Sequence, residues 1–108
     1  MQYAKVRVRV NELQTQELTV PPWEFMVLQA IHSDNAQMLE VVQGEKRDVT
    51  AEMEYDRLEL KYKAGFDDDD KRPWVARVFG QYGEGISKLQ SVMDAASKPI
   101  PKGRKSAA

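Results

Sequence analysis

Residues 3–20 read YAKVRVRVNELQTQELTV. In the first half, Val6, Val8 and Val10 alternate with Lys5, Arg7 and Arg9. Successive strand side chains point to opposite faces, so this alternation describes a strand with valines inward and a cationic face outward. Leu18, Thr19 and Val20 repeat the pattern after an Asn11-Glu12 turn. Residues 3–10 and 15–20 therefore read as an antiparallel hairpin with an irregular loop.

Pro21-Pro22 stops the second strand and suits the first turn of a helix. The stretch WEFMVLQAIHS that follows is apolar over most of its length, which predicts a mostly buried helix over 22–32, with a buried strand as the competitor. Ser33-Asp34-Asn35 is turn chemistry, and residues 38–43, MLEVVQ, read as a short strand ended by Gly44.

Residues 50–63 are rich in helix formers, with Thr50 as a cap and Glu52 and Glu54 in the first turn. Glu59 and Lys63 are spaced as an i,i+4 pair. At 100° per residue, Tyr55, Leu58 and Tyr62 share one face, while Met53 and Leu60 fall on the other. Leu58, Leu60 and Tyr62 also alternate with Glu59, Lys61 and Lys63, a strand pattern, but helix is the preferred reading. After a charged Asp67–Asp70 loop bounded by Pro73, Trp74–Phe79 reads as a strand rich in β-formers. Glycines at 80, 83 and 85 punctuate the next turn, and Ile86, Leu89, Val92, Met93 and Ala96 follow at the spacing of an amphipathic helix.

The expected fold is α+β: a mixed or antiparallel sheet of about four strands covered by two to three helices, in the order ββαβαβα. Residues 1–96 form the single domain, and residues 97–108 read as a flexible basic tail. The expected core is Val6, Val8, Val10, Leu18, Val20, Phe25, Leu28, Ile31, Leu39, Val41, Leu58, Val75, Val78, Ile86, Leu89 and Met93.

At 108 residues, with 42% hydrophobic and 31% charged side chains, the chain has one domain's worth of globular sequence. The absence of cysteine excludes a disulfide scaffold, a thiolate metal site and a cysteine nucleophile. The alternating N-terminus has no apolar signal region, and no apolar run approaches a bilayer span, so a cytoplasmic protein without a membrane partner is expected. The net charge of −1 is unevenly spread: residues 34–70 carry twelve acids against five bases, and residues 71–108 carry eight bases against two acids.

Every chemical motif has a simpler reading. His32 is the one histidine, and with Ser33 and Asp34 it fits a helix end better than a catalytic group. The acidic run Asp67–Asp70 lacks the spacing and distal glutamate of a calcium loop, and reads as a solvated, mobile segment; with Lys71 it matches the enteropeptidase recognition sequence. Gly80–Gly85 lacks a phosphate-loop signature, and Glu84 opposes an anion there. Glu52, Glu54, Asp56 and Glu59 read as a solvated helix face, not an acid–base pair. No catalytic residue, metal or cofactor is expected.

Two functions stay open. The leading one is a non-enzymatic protein-interaction module, self-associating through an unpaired sheet edge beside the Val6–Val10 strand, with Trp23, Trp74 and Tyr82 as interface anchors. The alternative is accessory nucleic-acid binding through Lys5, Arg7 and Arg9 on the strand face and Lys98, Lys102, Arg104 and Lys105 in the tail.

Overall fold

The computed structural model describes residues 1–98. β1 (Gln2–Arg9) and β2 (Thr15–Val20) form the expected hairpin, with Val6 opposite Leu18 and Arg7 opposite Glu17. Asn11 shapes the loop, its Oδ1 accepting from the Leu13 and Gln14 backbone at 2.8 and 2.9 Å. α1 (Pro22–His32) starts on its proline and a short 3-10 turn, Ser33–Asn35, ends it. β3 (Ala36–Gln43) then returns antiparallel along the far side of β1, giving the order β2-β1-β3.

The strand expected to offer a free edge is therefore the central one. Both of its sides are occupied, and the edges belong to β2 and β3. Val6 and Val8 are buried as their alternation requires, but β1 ends at Arg9 and Val10 is half exposed in the loop beyond.

The rest of the chain is helical: α2 (Ala51–Lys61), α3 (Trp74–Phe79) and α4 (Tyr82–Ser97). In α2 the Thr50 hydroxyl accepts from the Met53 backbone at 3.1 Å, the N-cap its position implies. The helix closes at Lys61 with Tyr62 in an irregular conformation, so Glu59 and Lys63 do not form the expected ion pair. The fourth strand is replaced by α3, and the observed order is ββαβααα. Strand alternation would have put Arg77 on the same face as Val75 and Phe79. A helical turn sends Val75 and Phe79 inward together and leaves Arg77 directed at the preceding loop. α4 begins four residues before Ile86, taking Gly83 and Gly85 into its first turns. Ser97 belongs to α4 rather than to a tail, and the remaining tail expectation lies, from residue 99, outside the described residues.

Two apolar clusters share α1. On one side Leu28 packs with Ala4, Val6, Val8, Val20 and Ala36 of the sheet. On the other, Trp23 and Val27 pack against Tyr55, Leu58, Phe79 and Leu89 of the helices. Sheet on one side and helices on the other explain why α1 is apolar nearly all round. Eight of the expected core residues are buried: Val6, Val8, Val20, Leu28, Leu58, Val75, Leu89 and Met93. Leu39 and Val41 are 40% and 43% exposed on β3, an outer strand of the sheet.

Candidate interaction site

The densest group of ionisable side chains joins α1 to α2. Glu24 and Glu54 are both buried. Arg57 lies between them, its Nη2 2.7 Å from Glu24 Oε1 and its Nε 2.8 Å from Glu54 Oε2. Lys61 Nζ and the Tyr62 hydroxyl donate to Glu24 Oε2 at 2.8 and 2.7 Å. Trp23 Nε1 donates to Glu54 Oε1 at 2.9 Å, and Arg47 Nη2 reaches Glu54 Oε2 at 3.4 Å. Burial alone pushes both carboxyls up, yet these hydrogen bonds and the Arg57 charge hold both below the ordinary carboxylate range. With three donors on Glu24 and four on Glu54, the group ties α1 to α2 as a clamp between helices. The sequence placed neither acid in the core, because a buried Glu is legible only with its partners.

Arg77 organises the acidic loop. Its Nε donates to the Arg72 carbonyl at 3.0 Å, its Nη2 lies 3.3 Å from Asp68 Oδ2 and donates to the Asp70 carbonyl, and its guanidinium stacks 4.1 Å above the Trp74 ring. Arg72 pairs with Asp70 at 2.8 Å. In the run expected to be solvated and mobile, Asp67 and Asp69 are exposed, while Asp68 and Asp70 are paired. Among the described residues no group of three or more acids or histidines could hold a metal ion. His32 ends α1, with Ser33 and Asp34 in the turn behind it.

The glycines before α4 serve packing. Gly80 has φ +116°, and a Cβ on Gly85 would lie 2.2 Å from the Gly80 carbonyl oxygen and 2.9 Å from the Tyr55 ring. That carbonyl accepts from the Tyr55 hydroxyl at 2.8 Å.

The three aromatic anchors separate. Trp23 is 1% exposed and belongs to the core. Trp74 is partly buried under Arg77. Tyr82 is exposed, edge-on to Tyr55 at 5.5 Å. Lys5, Arg7 and Arg9 do share the face of the sheet opposite the valines. Lys5 pairs with Glu40 at 3.8 Å and Arg7 lies opposite Glu17, so acids of both flanking strands temper this face. Lys98 follows α4, its carbonyl bound by Gln2 Nε2 at 3.2 Å, while Lys102, Arg104 and Lys105 lie outside the described residues.

The open surface is the β3 edge. Met38 lies opposite Val6 and Val41 opposite Ala4, both buried β1 residues. Their spacing is odd, yet they point the same way because the register shifts between Lys5 and Val6. Met38, Leu39 and Val41 are 42%, 40% and 43% exposed, and Phe25, Gln29, Ala36 and Met38 line a groove of about 690 Å³ between α1 and this strand. This edge is not legible in the sequence, since an apolar strand reads the same whether a neighbour covers it or not.

Among the described residues no helix is long and apolar enough to cross a membrane. The chain matches no protein-family model, no curated protein and no solved structure.

Proposed function

We propose that this chain is a non-enzymatic protein-interaction module that associates with a second copy of itself through the β3 edge. The observation that carries the reading is the row of exposed apolar side chains, Met38, Leu39 and Val41, on a strand with one unpaired edge. Such an edge is a template for strand addition, in which main-chain hydrogen bonds supply affinity and alternate side chains supply specificity. β2 is the poorer edge: Thr15, Gln16, Glu17 and Thr19 are exposed and polar, and two prolines follow it. The bulge shortens the regular pairing run of β3, so a weak dimer with a Kd of about micromolar order is expected.

Light scattering across protein concentration tests this. A mass rising from monomer to dimer, and held at monomer by L39K/V41K, is the expected result. A native chain that stays monomeric at hundreds of micromolar, roughly a hundredfold above that Kd, sinks the reading.

A second reading rests on Arg7 and Arg9, which are exposed on one sheet face and, among the described residues, have no carboxylate within 4 Å. With Lys5, and with Lys98, Lys102, Arg104 and Lys105 following in the chain, they form a candidate contact for a nucleic-acid backbone. Such binding falls steeply as salt rises, because it releases counterions. A strand-paired dimer responds little to salt, so repeating the mass measurement with nucleic acid at two salt concentrations separates the two.

A further inference from the structure

α2 has a second apolar stripe that the fold leaves uncovered. Its inward face, with Ala51, Tyr55 and Leu58, is buried among the other helices. Met53 and Leu60, seven residues apart and so on one line of the helix, face the opposite way and are 55% and 69% exposed. The sequence shows the same split as poor amphipathicity.

Beside this stripe runs a row of acids at i, i+4 and i+7: Glu52, Asp56 and Glu59, all exposed. Among the described residues none of the three has an ion-pair partner within 4 Å. The Asp56 charge, followed by burial, Glu52 and Glu59, raises the pKa of the exposed Tyr82 hydroxyl. At the end of α2 the stripe runs into a groove of about 760 Å³, with Leu60, Ala64, Phe66 and Pro73 as apolar walls and Lys63 and Lys71 also lining it. Phe66 is 96% exposed, yet its backbone is tied down: Lys71 Nζ donates to its carbonyl at 3.0 Å, and the Gly65 backbone donates to Asp68 at 2.6 Å. An apolar side chain held out on a fixed loop costs little ordering entropy when it is covered.

We propose that the outer face of α2 docks a basic amphipathic helix of a partner protein. Leucine-type side chains at helical spacing cover Met53 and Leu60 and enter the groove beside Phe66. Lysines or arginines on the adjacent line meet Glu52, Asp56 and Glu59. Charge complementarity decides for a basic occupant, because the three unpaired acids run along one side of the stripe, while Arg57 and Lys61 on its other side are already paired with Glu24 and the two lysines of the groove stand only at its end. The proposal uses a different surface from β3 and does not depend on dimer formation.

The test uses the full chain and two fluorescein-labelled helical peptides of about 14 residues, roughly four turns, one of leucine and lysine and one of leucine and glutamate. The Leu/Lys peptide binds and the Leu/Glu peptide does not. M53S/L60S weakens binding at least about tenfold at an unchanged melting temperature, and E52Q/D56N/E59Q weakens it and flattens its salt dependence. L39K/V41K leaves it unchanged. Equal binding of both peptides, or none, or indifference to M53S/L60S overturns the proposal. So does a mass increase abolished by M53S/L60S, which would put a second copy on this face. Peptide binding that appears only in K102S/R104S/K105S would likewise assign the face to the chain's own C-terminal segment.

Discussion

Trp23 Nε1 donates to Glu54 Oε1 at 2.9 Å, and both side chains are 1% exposed although 31 residues separate them. This bond ties the first turn of α1 to α2 and belongs to the clamp that Arg57 completes. A tryptophan that composition offers as an interface anchor is instead the polar end of the core.

Removing Glu54 leaves the buried Trp23 Nε1 without its acceptor and the half-buried Arg57 with one carboxylate fewer. Glu54→Ala is expected to cost about 3 kcal/mol, since breaking a buried pair from one side exceeds the worth of the pair. Trp23→Phe loses this hydrogen bond and leaves a cavity where the larger indole packed, at about 2 kcal/mol. Urea unfolding followed by circular dichroism measures both, and a Glu54→Ala loss below that of Trp23→Phe would refute the clamp.

The same acids set a pH dependence. Glu24 and Glu54 are held below their ordinary value of 4.5 in the folded chain. A depressed folded pKa contributes stability that is present above the unfolded value and lost as pH falls through the folded one. Stability should therefore fall as pH drops below about 4.5, and E24Q/E54Q should be weaker at neutral pH with a shallower acid limb. Parallel acid limbs in the two proteins would exclude these residues as the source.

Gly85→Ala places a methyl group against the Gly80 carbonyl and the Tyr55 ring, so the α3–α4 corner must open. A loss of about 2–3 kcal/mol is expected, against about 1 kcal/mol for Tyr55→Phe, which removes only the hydroxyl bond to Gly80. Gly83→Ala meets nothing within 4 Å and lies in the first turn of α4, so it serves as the control that is neutral or slightly stabilising.

The enteropeptidase motif ending at Lys71 gives a direct reading of the acidic loop. A protease needs an extended segment, and Arg77 holds this one folded over its own guanidinium. Arg77→Ala should speed cleavage after Lys71 by on the order of tenfold, as local opening becomes easier. Equal rates would mean that Arg77 does not hold the loop.

Ser33 has φ 51°, a left-handed backbone that a side chain rarely adopts. Ser33→Gly is expected to raise stability by about 1 kcal/mol, read as a higher melting temperature.

The local pieces are legible in the amino-acid order. Valine alternation specified β1 and its buried face, a double proline specified where β2 stops and α1 begins, and Thr50 specified the start of α2. Each of these signals acts within a few residues, through side-chain direction or backbone geometry. Tertiary structure alone decided the rest. That β1 is central, that β3 is an open edge, and that Leu39 and Val41 stay exposed all depend on which surface meets which. Trp74–Phe79 has β-forming side chains, yet a helix lets Val75 and Phe79 reach one core while Arg77 holds the loop. Glu24 and Glu54 could be buried only because Arg57, Lys61, Tyr62 and Trp23 arrive from two helices to satisfy them. The candidate surfaces, the β3 edge and the outer stripe of α2, are places where apolar residues found no such partner within the described chain, and periodicity cannot distinguish a covered apolar face from an open one.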